Sequence, residues 1–273
     1  MKSFTIEQIR RAAPLVHCIT NYVTVNDVAN VLLAIGARPV MADDPAEAEE
    51  ITARAAGLCL NIGTLNARTI PSMHAAGKRA RALAHPVVLD PVGAGASVLR
   101  TETALHLLNE VRPTAVRGNI SEIRTLAVGT GTTAGVDADA ADAVTEENLP
   151  AATALVKDFA ARQGCIVAVT GAIDLVTDGT DCYVVRNGRP EMGRVTGTGC
   201  QLSALLAAAL ACVPESALAA AAATVALMGT AGELAWERMG ERDGNAAYRT
   251  KMIDAIYRMT TSELTARMNI TKR

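Results

Sequence analysis

Arg194 to Cys212 reads RVTGTGCQLSALLAAALAC, a glycine-threonine turn that runs into an apolar stretch with no charged residue before Pro214. Gly197 and Gly199 allow positive φ and close approach of a ligand to the backbone, while Thr196 and Thr198 add hydroxyls. Leu, Ala and Gln are strong helix formers, so the turn is expected at the N-terminus of a buried helix whose free N–H groups point into it. Such an end attracts anions. Cys200 falls where the turn becomes the helix, and the positive end of the dipole is expected to favour thiolate over thiol. The plainer reading is a tight strand-to-helix connection with a small core cysteine. On local grounds the two stand level, because the turn lacks both the Lys-Ser/Thr ending of a P-loop and the third glycine of a dinucleotide-binding turn.

Outward from this turn, the chain alternates short apolar runs with helical patterns. A helix over MKSFTIEQIRRAAP is followed by LVHCI (15–19), a helix over DVANVLLAI capped by Asn26 or Asp27 and closed by Gly36, and PVM (39–41). A helix then starts at Asp44-Pro45, and the rhythm continues with GLCLNIG, a helix over 66–84, HPVVLDPVGAG, a helix over 97–111, TAVRGN and ISEIRTLAVG. Such alternation predicts parallel strands joined by right-handed crossovers, with ligands beyond the carboxyl ends of the strands. Asn21, Met41, Asn61, Asp90, Asn119 and Thr170 occupy those ends. Gly129 to Ala143 is expected to be a mobile excursion, and after a helix over 150–163 CIVAVTG is another buried strand. DLVTDG, DCYVVRNG and RPEMGRV then read as antiparallel strands, with Asn187-Gly188 a hairpin turn. Everything beyond Cys200 reads as helix. The whole chain, 1–273, is expected to form one domain.

Composition narrows the function. Of 273 residues half are hydrophobic but only 3% aromatic, so alanine and the aliphatics do the packing. A net charge of -2 and a pI near 6.1 give no attraction to nucleic acid or to an acidic membrane. Cys18, Cys59, Cys165, Cys182, Cys200 and Cys212 are scattered without a C-x-x-C pair, as expected of reduced thiols in the cytoplasm. The four histidines show no metal spacing. Leu202–Val213 and Ala217–Gly232 fall short of the ~20 residues of a membrane span, so the chain is expected to be soluble.

Several residue types converge on one rim. Asp90 ends VVLD above the turn Pro91-Val92-Gly93. Asn119 and Glu122 in GNISE share a helix face three residues apart. Taken singly these are an Asp-Pro turn and a helix cap with its Glu at the third position. Together they suit Mg²⁺ held through water with phosphate oxygens completing the shell. Arg117, aimed at the same rim, matches phosphate in fork geometry. A glycine-rich anion turn, an acidic pair, an arginine and a possible base make up the parts for phosphoryl transfer from a nucleotide.

At these residues the sequence resembles the hydroxyethylthiazole kinases, within the ribokinase-like superfamily. The matching segments are VHCITNYVTVNDVAN, PVMADDPAEAEE, VVLDPVGAGAS, AVRGNISEI, GVD (135–137), VAVTGAIDLVTDG and TGTGCQLSAL. The resemblance implies a three-layer α/β/α sandwich with a mainly parallel central sheet, and ATP-dependent phosphorylation of 4-methyl-5-(2-hydroxyethyl)thiazole with Mg²⁺. It implies that Arg117 and Thr170 contact ATP, that Met41, Gly197 and Asn21 contact the thiazole, and that Asp90 and Glu122 serve metal and phosphate. Gly197, Thr198, Gly199 and Cys200 then form the catalytic turn, with Cys200 where most of the superfamily has an aspartate base. It also implies a homotrimer, with loop 17–27 reaching a neighbouring site. Ile120 stands where the family usually has alanine, and Ala134 where a basic residue often precedes GVD. Rivals are a kinase for another small alcohol such as a hydroxymethylpyrimidine, a nucleotide-dependent lyase that repairs hydrated nicotinamide cofactors, a thiol enzyme and a purely structural protein. The order of the segments, and a cysteine where such lyases carry aspartate, weigh against the first two. The third lacks a resolving cysteine nearby, and the fourth leaves the rim of charged residues without a purpose.

Overall fold

The computed structural model describes residues 4–129 and 143–273. The excursion expected from Gly129 to Ala143, with the GVD segment and Ala134, lies almost wholly outside the described residues.

The first half repeats one unit, a short apolar strand followed by a covering helix. In chain order it runs α1 (Ile6–Ala12), β1 (Leu15–Ile19), α2 (Val25–Ile35), β2 (Arg38–Val40), α3 (Ala48–Arg54), β3 (Gly57–Asn61), α4 (Thr69–Ala82), β4 (Val87–Asp90), α5 (Val98–Val111), β5 (Ala115–Gly118) and α6 (Ile120–Val128). The remainder is α7 (Leu149–Gln163), β6 (Ile166–Val169), β7 (Asp174–Thr177), β8 (Cys182–Val185), α8 (Thr198–Cys212), α9 (Ala217–Glu237), α10 (Asn245–Arg258), α11 (Thr261–Arg267) and β9 (Ile270–Lys272). The nine strands among the described residues form one sheet, ordered β2-β1-β3-β4-β5-β6-β7-β8-β9. Pairing is parallel up to β6 and antiparallel from β6 to β9.

Alternation along each strand divides the core into two. Cys59, Val88, Ala115 and Ala168 pack with α2, α8 and α9 on one face. Leu58, Leu60, Leu89, Val116 and Val167 pack with α4 to α7 on the other. Successive side chains of a strand point to opposite faces, so a buried strand with helices on both sides must be apolar throughout. The result is the α/β/α sandwich. The same parity puts Asn61, Asp90 and Arg117, near the carboxyl ends of β3, β4 and β5, on the face that α8 covers.

Three local expectations are corrected. Neither Asn26 nor Asp27 caps α2; both lie in its first turn, and Thr24 holds the N-cap position, its hydroxyl donating to Asn21 Oδ1 rather than capping the helix. RPEMGRV is a 3₁₀ turn over Pro190–Arg194, and Asn187-Gly188 is no hairpin. Asn187 is buried and donates to the Arg267 carbonyl, while the Gly188 N–H donates to Glu233 Oε1, which leads the chain off the sheet edge onto α9. The vacated edge of β8 is taken by β9, so the chain ends in a strand that the sequence reading missed.

Helix α9 also exceeds the apolar run read from sequence. With its preceding turn it spans Pro214–Glu237, 24 residues, long and apolar enough to cross a membrane, but 78% of its most apolar window is buried inside the fold.

Candidate active site

The strand order places β1 between β2 and β3, so the direction of winding reverses between β1 and β3. Loops beyond β1 and β3 therefore diverge and leave a crevice at their carboxyl ends. Asn21 leaves β1 and Asn61 ends β3 at that crevice. The α8 N-terminus closes it from above.

Gly197 is the N-cap of α8 with φ +86°, and a Cβ there would lie 2.4 Å from Thr24 Cγ2. It needs glycine for conformation and for space. Gly199 differs from expectation: it sits inside the first helical turn. Its constraint is contact alone, because a Cβ would lie 2.1 Å from Arg117 Nη1. The guanidinium thus lies against the first turn of α8, with Nη2 donating to Thr170 Oγ1 and Nη1 3.6 Å from Asp90 Oδ1. A cation beside the positive end of a helix is held there only by an anion. Asp90 is one; a phosphate group is another.

Asp90 has no exposed surface. Its Oδ2 accepts from Asn61 Nδ2 at 2.7 Å and from Ser203 Oγ at 2.8 Å, while Oδ1 is buried without a hydrogen bond. Burial pushes the Asp90 carboxyl up, and Arg117 opposes this. Glu122 accepts from the Gly93 N–H and the Asn119 N–H, both at 2.8 Å, and Asn119 accepts in return from the Glu122 N–H. Glu122 therefore belongs to both the capping box and the acidic rim. Burial raises the Glu122 carboxyl, and the Asp90 charge raises it further. Among the described residues, no group of three or more His, Cys, Asp or Glu is arranged to hold a metal ion.

Cys200, 9% exposed, has its sulfur 3.2 Å from both Asn21 Nδ2 and Asn61 Nδ2. The expected thiolate is corrected: burial pushes the thiol up, and the neighbouring Asp90 charge adds to this, against hydrogen bonds from Thr24, Asn21 and Asn61. A helix end contributes at most ~2 kcal/mol and does not outweigh desolvation beside a buried carboxylate.

A cavity of about 490 Å³ opens on the other side of Arg117. Arg117, Asn119, Thr170, Gly171 and Asp174 line its floor, Thr198 and Gly199 its inner end, and Arg189, Met192, Val225 and Gly229 its far wall. Asn21, Met41, Asp90, Glu122, Gly197 and Cys200 are not part of that lining. Asn21, Gly197 and Cys200 gather on the opposite side of the α8 turn, and Met41 is half-buried just beyond β2, packed against the core. The sequence reading missed Thr24, Ser203 and Asp174. Ser203 had a signal, lying one turn after Cys200 and so on the same helix side. Asp174 had none, because DLVTDG reads as an ordinary strand start.

A mainly parallel sheet between two helical layers, with a helix N-terminus set against an arginine and a cavity at the strand ends, defines a ribokinase-like kinase. The fold matches the pyridoxal kinase of Staphylococcus aureus solved with AMP-PCP and pyridoxal, with a TM-score of 0.61, 16% identity and coverage of 96% of this chain and 99% of that one. The hydroxyethylthiazole kinase of Pyrococcus horikoshii OT3 superposes with a TM-score of 0.86 at 35% identity, covering 98% of this chain and 97% of that one. The family model for the Hydroxyethylthiazole kinase family matches residues 6–262. A relative named hydroxyethylthiazole kinase from Clostridium acetobutylicum is 53% identical over 259 residues, 95% of each chain. The chain belongs to the hydroxyethylthiazole kinase family.

Proposed function

We propose that this chain, as one kinase domain, transfers the γ-phosphoryl group of ATP to the primary hydroxyl of 4-methyl-5-(2-hydroxyethyl)thiazole in thiamine salvage. The observation that carries this reading is the placement of Arg117 between the cavity and the α8 N-terminus. ATP occupies the cavity with its phosphates toward Arg117, Thr170 and the turn Gly197-Thr198-Gly199. The thiazole lies across the turn, with Asn21, Gly197 and Met41 on its side.

The acceptor hydroxyl oxygen attacks the γ-phosphorus from the Cys200 side as the bond to the ADP oxygen breaks, and its proton passes late to an oxygen of the transferred phosphoryl group. The amides of the turn, the helix end and Arg117 stabilise charge on the transferred group. A thiol pushed up by burial is a poor base at neutral pH, so Cys200 contributes modestly, and a loose transition state needs little help there.

Asp90 and Glu122 fit Mg²⁺. Two neighbouring buried carboxylates, one with an oxygen that accepts nothing, suit a divalent cation shared with phosphate. Bound there, it would neutralise charge on the phosphates. The family resemblance further supports a cytoplasmic homotrimer, and Tyr22 and Val23, exposed beside Asn21, suit a loop that reaches a neighbouring subunit.

The test is ADP release with Mg-ATP and hydroxyethylthiazole, beside hydroxymethylpyrimidine and no-acceptor controls, with mass detection of the phosphorylated thiazole. Saturable thiazole-dependent release supports the reading. Turnover with the pyrimidine alone overturns the substrate and keeps the nucleotide side.

A further inference from the structure

We infer that Asn61 is a positioning residue for phosphoryl transfer: its amide bridges the Asp90 carboxylate to Cys200 Sγ and, with Asn21, holds that sulfur as an acceptor between two N–H donors. The inference deepens the kinase reading and rests on it.

Each amide proton has a place. Asn61 Nδ2 donates to Asp90 Oδ2 at 2.7 Å and to Cys200 Sγ at 3.2 Å. Asn21 Nδ2 donates to Asn61 Oδ1 at 2.9 Å and to the same sulfur at 3.2 Å. Neither amide is free to flip, because backbone donors hold the oxygens: the Gly63 N–H donates to Asn61 Oδ1 at 2.9 Å and the Thr24 N–H to Asn21 Oδ1 at 3.1 Å. Asn61 is 1% exposed and Asn21 5%.

The turn after β3 is shaped for this arrangement. A Cβ at Gly63 would fall 2.8 Å from Asn21 Nδ2 and 2.9 Å from Asn61 Oδ1. Arg100 reaches back from α5 to donate to the carbonyls of Ile62, Gly63 and Val92, tying that turn to the one after β4. The chain thus joins the carboxylate beside Arg117 to the sulfur on the acceptor side through a single side chain. An amide that only satisfied Asp90 would not need its second proton aimed at sulfur. Two donors on one acceptor fix where the sulfur sits on the acceptor side.

A double-mutant cycle tests this, using thiazole-dependent ADP release by the full chain. Asn61→Ala is expected to lower kcat at least ~5-fold with the KM for ATP within about twofold, since the lost donors face the acceptor side. In a Cys200→Ala background the same change should cost less than about twofold, because coupled sites are not additive. An equal cost in both backgrounds, or an unchanged kcat in Asn61→Ala, overturns the inference. Asn21→Ala asks the same question from the other donor should Asn61→Ala fail to fold.

A readout independent of activity accompanies the cycle. Cys200→Ala should move the side-chain amide resonances of Asn21 and Asn61 in a ¹⁵N–¹H spectrum; resonances that stay put overturn the inference whatever the substrate. A wild-type chain silent toward the thiazole instead sinks the kinase reading, and is seen before any variant is made.

Discussion

Two amide protons and one carboxylate act on the Cys200 sulfur in opposite directions, and burial sides with the carboxylate. An aspartate at 200 starts from a far lower pKa than a thiol and meets the same donors. Cys200→Asp is therefore expected to keep kcat or raise it; a collapse in kcat with an unchanged melting temperature would exclude this account. Asp174 carries a different tension. It is buried in the cavity floor, where its Oδ1 accepts from the Gly171 N–H at 2.9 Å, and burial pushes its carboxyl up to about 7. A folded value above the ordinary aspartate value of ~3.9 means that stability is fully present below that ordinary value and is lost as pH rises through about 7. Asp174→Asn keeps the acceptor and removes the charge. Its melting temperature should exceed wild type at pH 8, by ~1–2 kcal/mol after relaxation or roughly 2–8 °C, with the gain vanishing near pH 4. An equal gain at both pH values would rule out the charge as its cause. Asp90, Arg117 and Thr170 were legible as strand-end polar residues, a type that a buried strand cannot otherwise accommodate. Asn61 was legible as a position but not as a bridge, because a bridge needs the register Asn61↔Asp90 that only pairing reveals.

At the scale of elements, apolar runs flanked by turns located every parallel strand within a residue or two. Where the chain turned antiparallel, pattern failed: RPEMGRV alternates like a strand, yet Asn187 and Gly188 are held by α9 and the segment before β9, contacts distant in sequence. The loop carrying Met41 is placed by another long-range contact. His17, buried on β1, has Nε2 2.7 Å from the Ala42 carbonyl and Nδ1 2.8 Å from Thr52 Oγ1 on α3. Burial lowers its pKa against the Ala42 hydrogen bond, so the imidazole is neutral in the fold. A depressed folded pKa makes the unfolded chain take up the proton first. Stability from His17 is thus full above about pH 6.5 and falls as pH drops below it. The raised carboxyls of Asp174, Asp90 and Glu122 pull the opposite way, so the comparison must be differential. Denaturant midpoints between pH 8 and 5.5 should fall more steeply for wild type than for His17→Gln; parallel slopes would show that His17 does not titrate between folded and unfolded states.

Across the whole molecule, the cavity proposed for ATP is bordered by residues that a strand at the far edge of the sheet holds in place. β9 pairs with β8 from Tyr183↔Lys272 to Val185↔Ile270, and the ladder extends at both ends, with Cys182 and Arg273 exchanging N–H and carbonyl groups and the Arg186 N–H reaching the Asn269 carbonyl. The Asn269 N–H donates to Asn187 Oδ1 at 2.7 Å, and Asn187 and Gly188 line the cavity. Lys272 adds an exposed pair with Asp181 at 2.6 Å that contributes little by itself. Removing residues 269–273 would leave β8 an open edge and free the Asn187 side-chain oxygen. At about 0.5–1.5 kcal/mol for each hydrogen bond lost, the cost comes to roughly 3 kcal/mol or more, a fall in melting temperature of about 6–12 °C for a chain of this size. The kinetic signature distinguishes a loosened cavity wall from general destabilisation. Below the new melting range the KM for ATP should rise several-fold while the KM for the thiazole, across the α8 turn from Asn187, stays within about twofold. Equal rises for both substrates would mean that the edge strand supports the fold without shaping the nucleotide side.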